Sequence, residues 1–127
     1  MKLIYVASPY AGDIEQNTAF ARKACRHVMN EGHALLAPHL LYPAILDEHQ
    51  PERRQLGLDM GIAMLSRCDE LWCYGDHISL GMRLEIEEAG RLGIPVRRVT
   101  EQENDFTIGK VKSNAPAEAP ALAMGMV

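Results

Sequence analysis

The chain has 127 residues, of which 47% are hydrophobic and 24% are charged, and its formal net charge is −4 at pH 7. This composition is typical of a single globular domain that buries one core without disulfide or metal staples. The acidic excess argues against binding a nucleic-acid polymer by bulk electrostatics. It leaves room for one local site that holds a small phosphorylated ligand.

The cysteines and the apolar runs indicate in which cellular compartment the protein is located. Cys25, Cys68 and Cys73 are an odd number without CxxC spacing, so we expect free, mostly buried thiols in a reducing environment. No cysteine–histidine cluster has zinc-type spacing, and we predict neither a metal site nor a cofactor. No apolar run reaches the roughly 18 residues of a membrane span. The opening residues are also too short a run for a signal peptide. We therefore expect a cytoplasmic protein that does not contact a membrane.

The first half of the chain predicts two strands on either side of one helix. Residues 2–7 form a short apolar run that ends in a Ser-Pro step, which is typical of a buried strand. Asp13 can cap a helix that begins at Ile14 and ends at Glu31 before a glycine. Residues 33–39 form a second apolar run, which we predict to be a strand that ends at a proline.

The second half continues this alternation of strands and helices. In order, it predicts a loop over 40–50, a helix from Pro51 to about residue 67, a strand over 70–75, a helix over 79–92 that Gly93 ends, and a strand over 94–99. Alternating strands and helices call for a parallel sheet with helices on both faces. The predicted fold class is therefore α/β, a three-layer sandwich around a four- to five-stranded parallel sheet, similar to flavodoxin and Rossmann folds.

The composition changes after this α/β region. We predict one domain over residues 1–100 and a tail over 101–127. Residues 105–111 are apolar enough to add an edge strand, whereas the rest of the tail is rich in Ala and Pro without a period. Such a composition cannot bury a core, so we expect this part to be disordered.

Position alone indicates a ligand site at one edge of the sheet. In open α/β sheets the ligand lies beyond the carboxyl ends of the strands. In this chain the first three strands lead into polar segments, which are Ser8-Pro9-Tyr10, Pro38-His39 and Gly75-Asp76. The polar residues of these segments are therefore site candidates.

Glu85 occupies an unexpected face of the helix over 79–92. With about 100° per residue, the charged residues form a solvated stripe and the apolar residues form the opposite arc. Glu85 falls inside that apolar arc, between Leu92 and Ala89. Two interpretations are open. Either Glu85 accepts a hydrogen bond from a buried hydroxyl or reaches out near the helix end, or it is a site carboxylate that faces the crevice.

Three segments resemble one known superfamily. The pattern Ser79-x-Gly81-Met82-x-x-Glu85-x-x-x-Ala89, followed by Leu-Gly-Ile-Pro, resembles the nucleophile segment of the nucleoside 2-deoxyribosyltransferase-like superfamily, which has uncharacterised bacterial and phage members. The opening IYVASPY resembles its first strand, and CDELW resembles the entry to its third strand. The resemblance covers roughly residues 3–99. The superfamily includes transferases that exchange bases between deoxynucleosides and hydrolases that cut the N-glycosidic bond of deoxynucleoside monophosphates.

The resemblance implies roles for individual residues. Glu85 would be the nucleophile that attacks the anomeric carbon and holds the sugar as a covalent ester. Ser79, at a helix N-terminus, would help to bind a 5′-phosphate, or it is simply an N-cap. Tyr5 would lie near the sugar or base, or it is an ordinary strand aromatic. Ser8 and Pro9 would shape the first loop, and Gly81 and Met82 belong to the matching motif.

The sequence departs from the superfamily at one expected carboxylate. Relatives carry an aspartate eight residues before the aspartate that opens the third strand, and here that position is Gly61. Asp59 lies about 200° away around the helix, so it would point elsewhere. Three residues at the strand ends are candidate substitutes as an acid or base, unless they are ordinary polar loop residues: Asp76, His77 and His39.

Two functions follow from this pattern. The first is a hydrolase or deoxyribosyltransferase that acts on the N-glycosidic bond of a nucleoside or nucleotide. The second is a non-catalytic protein that senses or sequesters a nucleotide-derived ligand, and Gly61 in place of the aspartate favours it. The resemblance also implies a homo-oligomer. The apolar loop over 40–46 could serve as a partner surface or a lid, or it could fold back on its own core.

Overall fold

The computed structural model describes residues 1–47, 49–102 and 105–112. Its elements, in chain order, are β1 (Leu3–Ala7), α1 (Ile14–Asn30), β2 (Ala34–Leu36), α2 (Pro38–Leu41), α3 (Pro51–Leu65), β3 (Glu70–Tyr74), α4 (Leu80–Leu92), β4 (Val96–Gln102) and β5 (Asp105–Lys112). None of the helices in these ranges is long and apolar enough to cross a membrane.

The five strands form one sheet in the order β2-β1-β3-β4-β5. The first four are parallel, with Ala7 opposite Cys73 and Tyr74 opposite Val99, whereas β5 is antiparallel to β4. The predicted α/β class is confirmed with five strands, but the fifth runs antiparallel to β4, because only two residues separate the two strands and a parallel crossover needs about a dozen. The predicted disorder beyond residue 112 lies outside the described residues. The domain boundary at residue 100 stays a prediction.

Residues 37–41 differ from the sequence prediction. Strand β2 stops at Leu36, and α2 begins at Pro38, where a strand to residue 39 and then a loop were predicted. The reason is that proline fixes a helical φ and has no N–H to lose at the first helical position. The apolar residues of this segment therefore face different surroundings. Leu40 packs against the core, whereas Leu41 and Ile45 are exposed.

The sheet separates two hydrophobic cores, because successive strand residues point to opposite faces. On the face covered by α3 and α4, the core comprises Tyr5, Ala7, Leu65, Cys68, Leu71, Cys73, Met82, Ala89, Ile94 and Val96. On the face covered by α1, it comprises Ile4, Val6, Ala24, Cys25, Val28, Trp72, Tyr74, Val99 and Phe106. Tyr5 therefore points toward the same side of the sheet as α4.

Helix α3 packs through an unusual face. Its buried residues are Gly57, Gly61 and Leu65, at spacings of four, while Leu56 and Leu58 are exposed. Glycine has no side chain, so this face allows the helix backbone to lie close to whatever it covers. At Gly61 that neighbour is the side chain of Tyr5.

Glu70, at the start of β3, is a buried carboxylate whose oxygens are both bonded. Its Oε1 accepts from Trp72 Nε1 at 2.8 Å and Arg97 Nε at 2.9 Å, and its Oε2 accepts from Lys2 Nζ at 2.6 Å. Burial by itself would raise the pKa of Glu70, but the bonds from Lys2, Trp72 and Arg97 outweigh it and hold the pKa below its ordinary value. The carboxylate thus ties together β3, β4 and the residue that precedes β1.

We expect Glu70→Ala to lower the free energy of unfolding by about 1–3 kcal/mol, because it leaves the buried indole N–H of Trp72 and the Nε–H of Arg97 without their acceptor. Urea unfolding measures this change. Glu88→Ala is the matched control, since Glu88 pairs with Arg91 on the surface of α4, and such pairs contribute about 0–1 kcal/mol. Equal losses in the two variants would show that the Glu70 network does not stabilise the sheet.

Candidate active site

The chain reverses its direction of sheet growth between β1 and β3. From β1 it passes to β2 at one edge, and β3 then returns to the other side of β1 and continues toward β4. In a doubly wound sheet such a switch point leaves a crevice at the carboxyl ends of the two central strands. Ser8 follows β1 here, and residues 75–79 lead from β3 into α4.

Helix α4 is bounded by two clear signals. The Ser79 hydroxyl accepts a hydrogen bond from the backbone N–H of Met82 at 3.2 Å, which is an N-cap. Gly93 takes the left-handed conformation, with φ 74°, that ends the helix. The buried face of α4 comprises Met82, Glu85 and Ala89. Glu85 is 8% exposed and lies among apolar neighbours, as the helical wheel indicates.

Tyr5 and Glu85 form a buried contact between β1 and α4. The Tyr5 hydroxyl donates to Glu85 Oε2 at 2.5 Å, and both side chains are buried. Glu85 Oε1 is also buried, yet it has no hydrogen-bond partner among the described residues. The bond from a buried hydroxyl is what the structural interpretation of Glu85 predicts. The unpartnered Oε1 is what that interpretation leaves unexplained, because buried polar atoms are ordinarily bonded.

Burial changes the acid–base behaviour of this pair. Desolvation raises the pKa of Glu85 to about 7, although the hydrogen bond from Tyr5 acts in the opposite direction. Burial, followed by the proximity of Glu85, raises the pKa of Tyr5 far above its ordinary value. Tyr5 is therefore a permanent hydrogen-bond donor, and Glu85 changes its charge near neutral pH.

Gly61 lies directly beside the Tyr5 hydroxyl. A Cβ atom at this position would be 3.1 Å from Tyr5 Oη and 3.7 Å from the ring of Pro38. The position where the resemblance implies an aspartate is therefore at the site, as expected, but it supplies no carboxylate. Asp59 does not replace it, since it is exposed and accepts a bond from Gln55 at 2.9 Å.

Ser8 presents a second unexplained buried atom. Its side chain is 1% exposed, and its Oγ has no hydrogen-bond partner within the described ranges. The residue stands one position beyond the end of β1, at the switch point. A buried hydroxyl without a partner at this place is consistent with the role in the first loop that the resemblance implies.

Of three other predicted residues, two have structural duties. Ser79 caps α4, so its own hydroxyl is already used as an acceptor. Gly81 has open space where a Cβ would stand, and Met82 is fully buried in the core beneath the helix. Their contact with a substrate stays a prediction.

Tyr10 and His39 line a neighbouring cleft. Their rings stack with centroids 5.5 Å apart and an interplanar angle of 16°. Burial lowers the pKa of His39, which favours its neutral form. The cleft has a volume of about 290 Å³ and is lined by Tyr10, Ile14, Thr18, Arg22, His39, Leu40, Pro43 and Ala44. Tyr5 and Glu85 do not line this cleft. Pro38, which precedes His39, lies beside Gly61 and therefore near the Tyr5 hydroxyl.

The segment after β3 is held by a residue that sequence reasoning missed. Arg98 donates from Nε and Nη2 to the carbonyl oxygen of Gly75, at 3.0 and 2.7 Å. Asp76 and His77, which follow Gly75, are exposed. Pro9, in the loop after β1, is half-buried. No signal in the sequence pairs Arg98 with Gly75, because they lie on different elements. The role of Asp76 as an acid or base stays a prediction.

Over residues 1–47, 49–102 and 105–112, no group of three or more His, Cys, Asp or Glu side chains is placed to hold a metal ion. All three cysteines are buried, as predicted.

We expect Glu85 to make the protein less stable as pH rises from about 4.5 to about 7. In that window the folded state keeps the Glu85 proton and the unfolded state loses it, so raising the pH favours unfolding. Glu85→Gln is neutral at every pH. It should match wild type near pH 4.5 and exceed it by on the order of 3 kcal/mol at pH 8.

Denaturant unfolding across this pH range measures the difference. Glu87→Gln is the matched control, because Glu87 is exposed on the same helix. If both variants show the same difference from wild type at every pH, Glu85 is not a desolvated carboxyl group.

Comparisons with known proteins agree with this architecture. Over residues 2–99 the chain matches the family described as Domain of unknown function (DUF7768). No curated protein sequence matches it significantly. A solved structure of 2-deoxyribosyltransferase from the psychrotolerant bacterium Bacillus psychrosaccharolyticus has a TM-score of 0.65 and 20% identity, covering 80% of this chain and 74% of that chain. A second, 2-desoxiribosyltransferase from Leishmania mexicana, has a TM-score of 0.53 and 15% identity, covering 87% and 79%.

At these identities the two solved structures establish a shared fold. They do not by themselves assign a reaction to this chain. The predicted relation to deoxyribosyltransferases is confirmed as a structural one, and the placement in a bacterial or phage branch stays a prediction. The family match, by contrast, extends over nearly the whole of the described α/β region, and the chain accordingly belongs to the DUF7768 family.

Proposed function

We propose that this protein breaks the N-glycosidic bond of a nucleoside or nucleotide, with Glu85 as the nucleophile. The single observation that supports this most strongly is the half-bonded state of Glu85, in which Tyr5 occupies Oε2 and Oε1 is buried without a partner in the described chain. An oxygen that has lost its water and gained no other bond is a reactive one. The fold shared with two deoxyribosyltransferases supports the same class of reaction.

The titration of Glu85 suits this role. A nucleophilic carboxyl group must be ionised when it attacks, and a pKa of about 7 leaves a large part of the population ionised near neutral pH. Desolvation destabilises the ionised carboxylate. Bonding to an electron-poor carbon neutralises the charge and therefore lowers the free energy. The Tyr5 hydroxyl keeps the carboxylate plane fixed and donates to the oxygen that does not attack.

The reaction proceeds in two displacements at the anomeric carbon of the sugar. First, Glu85 Oε1 bonds to that carbon while the electron pair of the carbon–nitrogen bond leaves with the base. The product is a sugar ester of Glu85. Water then attacks the same carbon and frees the carboxylate. Its hydroxyl group stays on the sugar, and its proton balances the released base. If a second base attacks instead of water, the outcome is transfer with retained stereochemistry.

The reaction also calls for a second acid or base. Retaining glycosyl transfer ordinarily pairs the nucleophile with another ionisable group. Gly61 removes the expected carboxylate, so Asp76, His77 and His39 are the candidates within this chain. A second copy of the chain is another source, since we also propose a homo-oligomer. The contact surface between the copies would include Leu41 and Ile45, which are exposed in the segment that follows β2.

A non-catalytic nucleotide-binding protein is the alternative function. The observation in its favour is Gly61, because a site without the usual aspartate loses proton transfer before it loses ligand binding. The two functions differ in one measurable respect, which is whether bound nucleotide leaves the purified protein intact or as free base.

We expect Glu85→Gln to reduce base release on the order of 10³-fold or more, because glutamine cannot form the ester. The assay incubates the protein with a panel of nucleosides and 5′-monophosphates and follows free base by chromatography. Mass spectrometry of acid-quenched wild type should show an added sugar that the variant lacks. Glu87→Gln, exposed on the same helix, should retain the wild-type rate.

Three outcomes decide between the interpretations. If Glu85→Gln unfolds the protein, Glu85 is a structural partner of Tyr5. If wild type binds nucleotides and releases no base, the binding function replaces the enzymatic one. If base release survives in Glu85→Gln, the proposed nucleophile is wrong.

We also expect 5′-monophosphates to stabilise the protein more than the matching nucleosides, because Ser79 and the N-terminus of α4 suit an anion. Mass action gives about 2.7 kcal/mol at a hundredfold excess over the dissociation constant. Thermal unfolding with each ligand measures the difference. Ser79→Ala should lose the extra stabilisation by phosphate, beyond its own cost as a lost cap. Equal stabilisation by both ligand types would remove phosphate recognition at this helix.

A further inference from the structure

We propose that Gly61 is a positioning residue: its missing side chain lets α3 lie against the Tyr5 hydroxyl and so holds that hydroxyl on Glu85. Its effect on catalysis rests on the proposed function. The positioning itself does not, because it concerns three residues of the folded chain.

The distances leave little freedom at this contact. A Cβ atom at position 61 would be 3.1 Å from Tyr5 Oη, closer than side-chain carbons ordinarily approach an oxygen, while Pro38 would remain at an ordinary 3.7 Å. The hydroxyl therefore occupies the space that any other residue at 61 would use. On its other side, the same hydroxyl donates to Glu85 Oε2 at 2.5 Å.

Helix propensity makes the glycine informative. Alanine stabilises the middle of a helix better than glycine does, and Gly61 lies well inside α3. A glycine at this position lowers helix stability relative to alanine, which is explained if a neighbouring group occupies the volume that a side chain would fill. Tyr5 is the nearest group to the space and the one that the added atom would displace.

The position of Tyr5 in turn controls Glu85. The Tyr5 ring is fixed in the core between the sheet and α3, so its hydroxyl cannot swing freely. The titratable groups that act on the hydroxyl are Glu85 from α4, Cys68 from the segment after α3, and Tyr42 from the segment after α2. Of these, Glu85 accepts its hydrogen bond. A shift of the hydroxyl by a few tenths of an ångström lengthens that bond and leaves both oxygens of Glu85 poorly bonded.

A double-mutant cycle tests the contact directly. In the Tyr5→Phe background the hydroxyl is gone, so Gly61→Ala should raise the melting temperature by about 2–4 °C through helix propensity. In the wild-type background the same change should lower the melting temperature, because Tyr5 must move. Gly81→Ala is the control for stability, since Gly81 in α4 has open space around it and its effect should be the same in the wild-type and Tyr5→Phe backgrounds.

A second readout follows the carboxyl group itself. ¹³C NMR of carboxyl-labelled glutamate, with Glu85→Gln to assign the signal, gives the midpoint of the Glu85 titration. Because the Tyr5 bond lowers that midpoint, Gly61→Ala and Tyr5→Phe should each raise it. The double variant should show no further rise. A purely structural role for Gly61 would lower stability and leave the midpoint unchanged.

The results separate this proposal from the proposed function. Coupling between positions 5 and 61 in a protein that releases no base supports the positioning role and rejects the enzyme. Base release together with additive melting temperatures and an unchanged midpoint in Gly61→Ala supports the enzyme and rejects the positioning role. If Tyr5→Phe does not fold, the midpoint in Gly61→Ala compared with Gly81→Ala decides the question alone.

Discussion

The hydrogen bond between Tyr5 and Glu85 is the interaction on which the rest of this site depends. It joins the interior strand β1 to α4 across 80 positions of sequence and lies out of contact with water. A buried carboxyl group without this donor would cost several kcal/mol or stay protonated throughout the neutral range. With it, Oε2 is bonded, while Oε1 is buried without a partner among the described residues. The rigid core around Tyr5 thereby fixes the geometry of a group that is costly to bury.

The two buried glutamates show how differently one fold treats the same side chain. Glu70 receives three hydrogen bonds from Lys2, Trp72 and Arg97 at the beginning of β3, and its pKa is held low. Glu85 receives one bond, and burial raises its pKa to about 7. Complete bonding is what stability requires of a buried charge, and incomplete bonding at a strand-end crevice is what reactivity requires. The contrast within one molecule strengthens the assignment of Glu85 to chemistry.

The function proposed for this member of the DUF7768 family depends on that site more than on its fold. Doubly wound sheets support many unrelated activities, so the likeness to two deoxyribosyltransferases restricts the possibilities without selecting among them. The oxygens of Glu85 and Ser8 that lack a partner among the described residues are features of this chain's own side chains. The glycine at position 61 brings a helix backbone to the same place, where relatives are expected to have a carboxylate. The proposed reaction therefore needs a proton donor other than the aspartate that the resemblance implies at this position.

The sequence by itself determined the features that local patterns encode. Alternating apolar runs and helical periods predicted the α/β class, the Asp13 and Ser79 caps, the Gly93 stop and the burial of Glu85, because each depends on residues within a turn or two of one another. The tertiary structure decided what depends on pairing between distant segments. It reversed the direction of β5, started α2 at Pro38, and brought the Tyr5 hydroxyl between Gly61 and Glu85. No periodicity along a chain records which side chain will stand opposite another after packing, so the anomaly at Glu85 was readable from the sequence but its partner was not.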